Sequence, residues 1–190
     1  NCAVFLDIGS PQFPYDQELP DGKAHLSVEG YYPSLCRFLD HVEKELGLKV
    51  IIAAHPKSNH VKFPEYFGGR LTIRDQTLTL IKKSKLVISH QSMALTWIIL
   101  ERKPWLYLTT AEYGVDLHYS RGMKVTGDFL GKTLIDIDKE PYSVNWEKEL
   151  HVNEDLYLSY ERQYIKKEGS EMLNTWQIFA NRLKKWNEKC

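Results

Sequence analysis

With 190 residues, of which 43% are hydrophobic and 26% charged, the chain is long enough for one well-packed domain, and disorder is not expected. The 25 basic and 25 acidic residues balance, which excludes a uniformly basic surface for nucleic acid. Three widely spaced cysteines, Cys2, Cys36 and Cys190, form no CxxC pair and argue against a disulfide framework or a zinc site.

The chain alternates strand patterns with helix patterns. Short β-branched apolar runs predict strands at 3–8, 49–54, 71–73, 86–89, 104–109 and 133–137. Helical spacing of apolar residues predicts a helix of about fifteen residues that has Pro33 near its first turn and ends at Gly47. Further helices are predicted at 78–83, 92–101, 155–167 and 170–189, and loops at 10–30 and from His55 to Gly69.

This alternation predicts an α/β fold with one parallel sheet covered by helices on both faces. We expect a single Rossmann-like domain over residues 1–150 and C-terminal helices over 151–190 that pack on the same domain. The predicted strand 104–109 is followed by Thr110-Ala111-Glu112. The stretch from there to Gly131 shows no regular pattern of apolar residues. No run of about eighteen apolar residues occurs, so no membrane span is expected.

Two strand ends carry the polar groups with the clearest chemistry. The second strand ends at His55-Pro56-Lys57, where an imidazole and an ammonium can donate to a phosphate. The fourth strand leads through Ser89-His90-Gln91-Ser92 into a helix, whose free N–H groups and dipole favour an anion. We expect neighbouring parallel strands to bring both ends to one crevice.

Each of these features also has a plain structural interpretation. His55 is compatible with a capping or surface histidine, and Gln91 or Ser92 with an ordinary residue at a helix N-terminus. Gly9 and Ser10 follow the first strand, where a glycine allows close approach of a ligand to the backbone. No G-x-G-x-x-G, Walker or G-x-S-x-G motif is present, and no metal or cofactor is expected.

Taken in order, these residues resemble the C-terminal, donor-binding half of GT-B glycosyltransferases that build bacterial surface polysaccharide, capsule or lipopolysaccharide. Bacterial sialyltransferases and CDP-glycerol polymer transferases of that architecture carry a His-Pro motif that contacts the donor nucleotide. They also carry a serine-rich motif that holds its phosphate. The matching residues here are His55-Pro56 and Ser89 to Ser92. Further short strings are similar to a family found in surface-carbohydrate gene clusters: Tyr31-Tyr32-Pro33-Ser34-Leu35, Ala53-Ala54-His55-Pro56, Phe67-Gly68-Gly69-Arg70, Arg102-Lys103-Pro104, Tyr164-Ile165-Lys166 and Gly169-Ser170 with Trp176.

The resemblance implies metal-independent sugar transfer from a CMP-, CDP- or UDP-linked donor. It implies an N-terminal acceptor-binding domain in the same protein, and since the catalytic base would come from there, no base is named here. The chain by itself is then a fragment that binds nucleotide and transfers sugar weakly or not at all. Many GT-B donor domains place a ribose-binding glutamate where this chain has Trp97, with Glu101 one turn later, so cytidine and uridine donors both stay open.

The cysteine pattern and the lack of an apolar span lead us to expect a cytoplasmic protein, whose full-length form is expected to associate peripherally with the inner membrane. The partners expected are a nucleotide-sugar donor and the acceptor domain, with no nucleic acid. A second function class stays open, which is a non-catalytic Rossmann-like module that senses a sugar or nucleotide or docks another subunit. A hydrolase is disfavoured because neither His55 nor His90 has a nucleophile or carboxylate at a recognisable spacing.

Overall fold

The structure of the protein is a computed structural model, and it describes residues 1–11, 26–58, 63–115, 117–171 and 173–188. The side chains at 64, 114, 115, 117 and 118 are not described. Most of the predicted loop 10–30 and part of the loop after His55 therefore lie outside the described residues, as does Cys190.

Six parallel strands form one sheet in the order β3-β2-β1-β4-β5-β6. The strands are β1 (Cys2–Leu6), β2 (Lys49–Ala53), β3 (Thr72–Ile73), β4 (Leu86–Ser89), β5 (Trp105–Thr109) and β6 (Leu134–Asp136). The helices are α1 (Val28–Leu46), α2 (Thr77–Lys83), α3 (Leu95–Leu100), α4 (Leu117–Leu130), α5 (Trp146–Leu150), α6 (Glu154–Tyr160) and α7 (Thr175–Asn187). Two 3₁₀ segments (Pro64–Phe67 and Ala111–Val115) and a π-helical segment (Glu161–Ile165) complete the described elements. This is the predicted Rossmann-like α/β fold, and all six predicted strands are present.

The strand order places β1 at the centre of the sheet and corrects one expectation. Leu6, the last residue of β1, pairs with Ala53 of β2 on one side and with Ser89 of β4 on the other. β2, which leads to His55, and β4, which ends at Ser89, are therefore not neighbours, because β1 lies between them. β2 and β3 are added on one side of β1, and β4, β5 and β6 on its other side. The strand order therefore reverses between β1 and β4, and such switch points are where open α/β sheets bind ligands.

Helix α1 begins earlier than predicted and ends where predicted. Ser27 caps it by accepting the N–H of Gly30 at 3.2 Å, so Pro33 lies inside the helix rather than in its first turn. Gly47 ends it in the left-handed region at φ 62°, where a side chain would be strained. The helix buries an aromatic and aliphatic face on the sheet: Tyr31, Tyr32, Leu35, Phe38, Leu39 and Val42.

The fourteen-residue helix α4 was missed, and its glycines explain why. Gly122 and Gly127 lower the intrinsic helix propensity, so the stretch shows no clear helical signal. In the fold, Gly127 lies against the turn that leads from α4 to β6: its carbonyl oxygen accepts the N–H of Lys132 at 2.9 Å, and a Cβ at Gly127 would be 3.1 Å from the carbonyl oxygen of Lys132. The close approach of this turn, rather than helix propensity, therefore accounts for glycine at 127. The short helix α5 was also not predicted.

The C-terminal region contains one packed part and one exposed part. Tyr157 of α6 is fully buried, and its hydroxyl donates to the carbonyl of Lys103 at 2.9 Å. By contrast, α7, all of whose residues are described, has no buried residue. Among the residues described here, no helix is both long enough and apolar enough to cross a membrane.

Candidate functional site

Asp7, the first residue after β1, holds the carboxyl ends of β1 and β2 together. Its Oδ1 accepts the N–H of Gly9 at 2.9 Å, and its Oδ2 accepts the N–H of His55 at 2.9 Å and the hydroxyl of Ser58 at 2.6 Å. The carboxylate is buried. The burial of Tyr31 and, after it, the negative charge of Asp7 raise the pKa of the Tyr31 hydroxyl. The sequence pattern gave Asp7 no role, although its position directly after a buried strand was the available signal.

The imidazole of His55 has a defined hydrogen-bonding state. Its Nδ1 accepts the backbone N–H of Lys57 at 3.2 Å. An N–H group can only donate, so in the neutral ring the proton is on Nε2. The half-buried side chain therefore presents a donor rather than an acceptor at this edge of the sheet.

Gly9 allows the β1 and β2 ends to approach each other closely. It adopts φ 78°, and a Cβ there would lie 3.0 Å from Nδ1 of His55. Next to it, the hydroxyl of Ser10 is buried and has no hydrogen-bond partner among the described residues. The structure thus brings Gly9 and Ser10 to the same strand end as His55.

A cationic group that the sequence pattern did not indicate lies at the same turn. The guanidinium of Arg74, which follows β3, donates to the carbonyl oxygen of Pro56. Arg74 and Lys57 are both exposed. Two basic residues, Lys57 and Arg74, therefore belong to the turn that carries the imidazole N–H, above the buried carboxylate of Asp7, and guanidinium and ammonium groups are suited to phosphate oxygens.

Ser89 and His90 are placed in the interior rather than on the open edge. The hydroxyl of Ser89 accepts the indole N–H of Trp105 at 2.9 Å. His90 is fully buried, with Nδ1 3.0 Å from the carbonyl oxygen of Leu108, to which the ring donates. Burial lowers the pKa of His90 to about 4, so the ring is neutral at physiological pH. Its Nε2 has no partner among the described residues, and the ring packs against Tyr31 and Tyr113.

Gln91 and Ser92 lie on the other side of the switch point, beside a cavity. Helix α3 begins at Leu95, three residues later than predicted, and Ser92 instead accepts the N–H of Ala94 at 3.2 Å in the preceding turn. The adjoining cavity of about 360 Å³ is within the usual size range of small-molecule sites. It is lined by hydroxyl, amide and aromatic groups that include Gln91, Ser92, Thr96, Thr126, Tyr160 and Tyr164.

The N-terminus of α1, where Rossmann folds commonly bind phosphate, is occupied by a side chain of the protein itself. Glu112, in the segment after β5, accepts the N–H of Ser27 at 2.9 Å and its hydroxyl at 2.5 Å. A Cβ at Gly30 would lie 2.8 Å from the same carboxylate. The helix dipole is therefore already balanced by an anion at this end.

Trp97 and Glu101, the two residues compared with the ribose-binding glutamate, lie on α3 and directly after it. Trp97 is 42% exposed on α3. Glu101 follows the last residue of α3 and pairs with Lys82 of α2 at 3.5 Å, which places its carboxylate at the far end of the helix from Ser92.

The carboxylate of Asp138, two residues after β6, belongs to the structural framework. Asp138 accepts the hydroxyl of Thr110 at 2.6 Å and the N–H of Ala111 at 2.9 Å. Burial opposes ionisation of Asp138, but hydrogen bonds from Ser34, Thr110 and Ala111 outweigh it and lower its pKa. Within the described ranges no group of three or more His, Cys, Asp or Glu residues is arranged to hold a metal ion.

The described groups thus form two separate parts of one sheet edge. One contains the basic residues Lys57 and Arg74 together with Gly9, Ser10 and His55, and the other is the cavity beside Gln91 and Ser92. No family model, curated protein or solved structure matches this chain.

Proposed function

We propose that this chain is the donor-nucleotide-binding half of a glycosyltransferase that acts in bacterial surface polysaccharide biosynthesis. The observation that carries the proposal is the state of His55. Its Nδ1 accepts the N–H of Lys57, so its Nε2–H is left to donate at the carboxyl edge beside the switch point. As the sugar leaves, negative charge grows on the nucleotide phosphate, and a donor fixed in this position would stabilise it.

The charges around His55 support the same proposal. Arg74 and Lys57 contribute two cations to the turn, and Gly9 keeps backbone atoms accessible there. A phosphate held by these groups needs no metal ion to neutralise it. The cavity beside Gln91 and Ser92 is then available for the base or the sugar of the donor, since the ends of β2 and β4 are about 10 Å apart across β1.

The occupied α1 N-terminus narrows the class of nucleotide. A dinucleotide cofactor of a Rossmann domain places its pyrophosphate at the N-terminus of the helix after the first strand. Here Glu112 holds that position, and its carboxylate would repel a phosphate. A mononucleotide-linked donor bound at the β2 and β3 ends is therefore favoured. The acceptor site and the catalytic base are proposed to come from an N-terminal partner domain.

A titration of the chain with CMP, CDP, UDP and their sugars tests the proposal, with heat and NMR shifts as readouts. We expect one nucleotide class to bind, and His55→Ala or Arg74→Gln to weaken binding by about tenfold to a hundredfold, the value of a charge-assisted hydrogen bond. His151→Ala is the matched control, because His151 lies far from His55. The carbonyl of His151 accepts a hydrogen bond from Lys132, and Lys132 precedes β6 at the opposite edge of the sheet.

The result that contradicts the proposal is equally specific. If no nucleotide shifts any resonance of the folded chain, or if His55→Ala binds as tightly as the unaltered protein, the donor-site proposal is wrong. The non-catalytic docking module would then be the better description. Rapid sugar transfer by the isolated 190 residues would contradict only the assignment of the catalytic base to another domain.

A further inference from the structure

Four large apolar side chains of α7 are exposed together on one side of the helix. Trp176 is 79% exposed, Phe179 53%, Leu183 42% and Trp186 66%. The helix is nevertheless well formed, since Asn174 and Gln177 make a reciprocal capping box at its start. A stable helix with an uncovered aromatic face requires a partner surface.

The arrangement of charge on α7 indicates the chemistry of that surface. At 100° per residue, Trp176, Phe179, Ala180, Leu183 and Trp186 span an arc of about 120°. Arg182 lies about 40° beyond one edge of this arc and Lys184 about 40° beyond the other edge. Lys185 lies on the side of the helix opposite the arc. The helix contains these three basic residues and no acidic residue.

The apolar arc faces away from the rest of the chain. Ile178, which lies near Lys185 on the opposite side of α7, is the one residue of this fully described helix that is partly buried. Long basic side chains at the edges of an apolar arc can extend their charges towards an anionic surface while their stems remain in contact with apolar groups. Tryptophan and phenylalanine in such an arc are suited to the boundary between headgroups and acyl chains.

We propose that α7 binds the surface of an anionic lipid bilayer, lying in the plane of the interface with its aromatic arc inserted. A second copy of the chain fits less well. Two α7 helices packed through this arc would bring the three basic residues of each copy together with one acidic residue each, Glu188 at the C-cap, and thirteen residues is short for a coiled coil. The proposal is independent of the nucleotide site, because no residue of α7 contributes to it.

Flotation of the full chain with vesicles tests this proposal. We expect binding to an equal mixture of phosphatidylcholine and phosphatidylglycerol, and none to phosphatidylcholine alone. The double variant Arg182→Gln/Lys184→Gln should bind about 25-fold more weakly, because each basic residue near an anionic surface is worth about fivefold. Lys185→Gln, on the opposite side, is the matched control and should change binding by less than about fivefold.

The apolar contribution has its own variant and its own contrary outcome. Trp176→Ser/Phe179→Ser should abolish flotation while leaving the circular dichroism of the domain unchanged, because neither side chain is buried in the fold. The proposal is overturned if the full chain does not float with anionic vesicles, or if it binds both vesicle types equally. It is also overturned if light scattering shows a dimer that Trp176→Ser dissociates, since a second copy would then cover the arc.

Discussion

A single carboxylate organises the proposed phosphate site. Asp7 accepts from Gly9, His55 and Ser58, which belong to two different strand ends. It does not itself face a ligand in these contacts, and it acts by positioning the backbone of His55. Buried charge-assisted hydrogen bonds of this kind are stronger than neutral ones, so the geometry of the site depends on one residue.

Asp7→Asn should destabilise the protein by about 2–3 kcal/mol, because the amide would turn an N–H donor towards the N–H groups that Asp7 now accepts. Urea unfolding at neutral pH measures the change. Asp128→Asn is the control, since Asp128 makes an exposed ion pair with Lys124 and should cost less than about 0.5 kcal/mol. Equal losses in the two variants would show that Asp7 has no special role.

His90 should make stability depend on pH. Its pKa is about 4 in the folded protein and 6.5 when unperturbed, so the unfolded state takes up a proton first as the pH falls. Stability contributed by the neutral ring is complete above pH 6.5 and is lost towards pH 4, by about 3 kcal/mol in total. His90→Asn keeps a donor for Leu108 without a titrating ring. Unfolding free energies measured from pH 7 to 4 should therefore fall less steeply in this variant, and an unchanged slope would contradict the assignment.

Helix α4 shows how packing overrides local preference at the level of an element. Its two glycines have different surroundings. At Gly122 a Cβ would meet only the exposed Gln91 side chain at 3.7 Å, whereas at Gly127 it would lie 3.1 Å from the carbonyl oxygen of Lys132. A backbone carbonyl cannot move as freely as a flexible side chain, so the same substitution has different consequences at the two positions.

Gly122→Ala should stabilise the protein by up to about 1 kcal/mol through helix propensity. Gly127→Ala should lose that gain and destabilise the protein by about 1 kcal/mol, because the turn at Lys132 must move away from the end of α4. Thermal or urea unfolding of both variants measures the difference. If Gly127→Ala proves as stabilising as Gly122→Ala, then close packing is not the reason for glycine at 127.

For the whole molecule, the C-terminal region divides into a part that the fold requires and a part that it does not. Tyr157 is buried and bonded to Lys103, whereas α7 buries none of its residues. Tyr157→Ala should therefore cost about 3–5 kcal/mol, as expected for a large aromatic residue removed from a core. A chain ending at 171 should keep the unfolding free energy of the full protein within about 0.5 kcal/mol. A large loss on truncation would mean that α7 packs on the domain.

The sequence by itself determined the strands and the class of fold. Apolar runs such as Leu86 to Ser89 have few alternatives to a buried parallel strand, so β4 was predicted with its observed bounds. Gly47 likewise determined the end of α1, because a left-handed residue at that point strongly favours glycine.

Only the tertiary structure decided which groups meet at the sheet edge. Strand order is a long-range property, so the sequence could not show that β1 separates the two strand ends or that Asp7 bridges β1 and β2. Nor could it show that Ser89 bonds to Trp105 while Arg74 reaches Pro56, because these partners are 16 and 18 residues apart along the chain. Local sequence encodes backbone preference, whereas hydrogen-bond partners across strands depend on where the folded chain brings them.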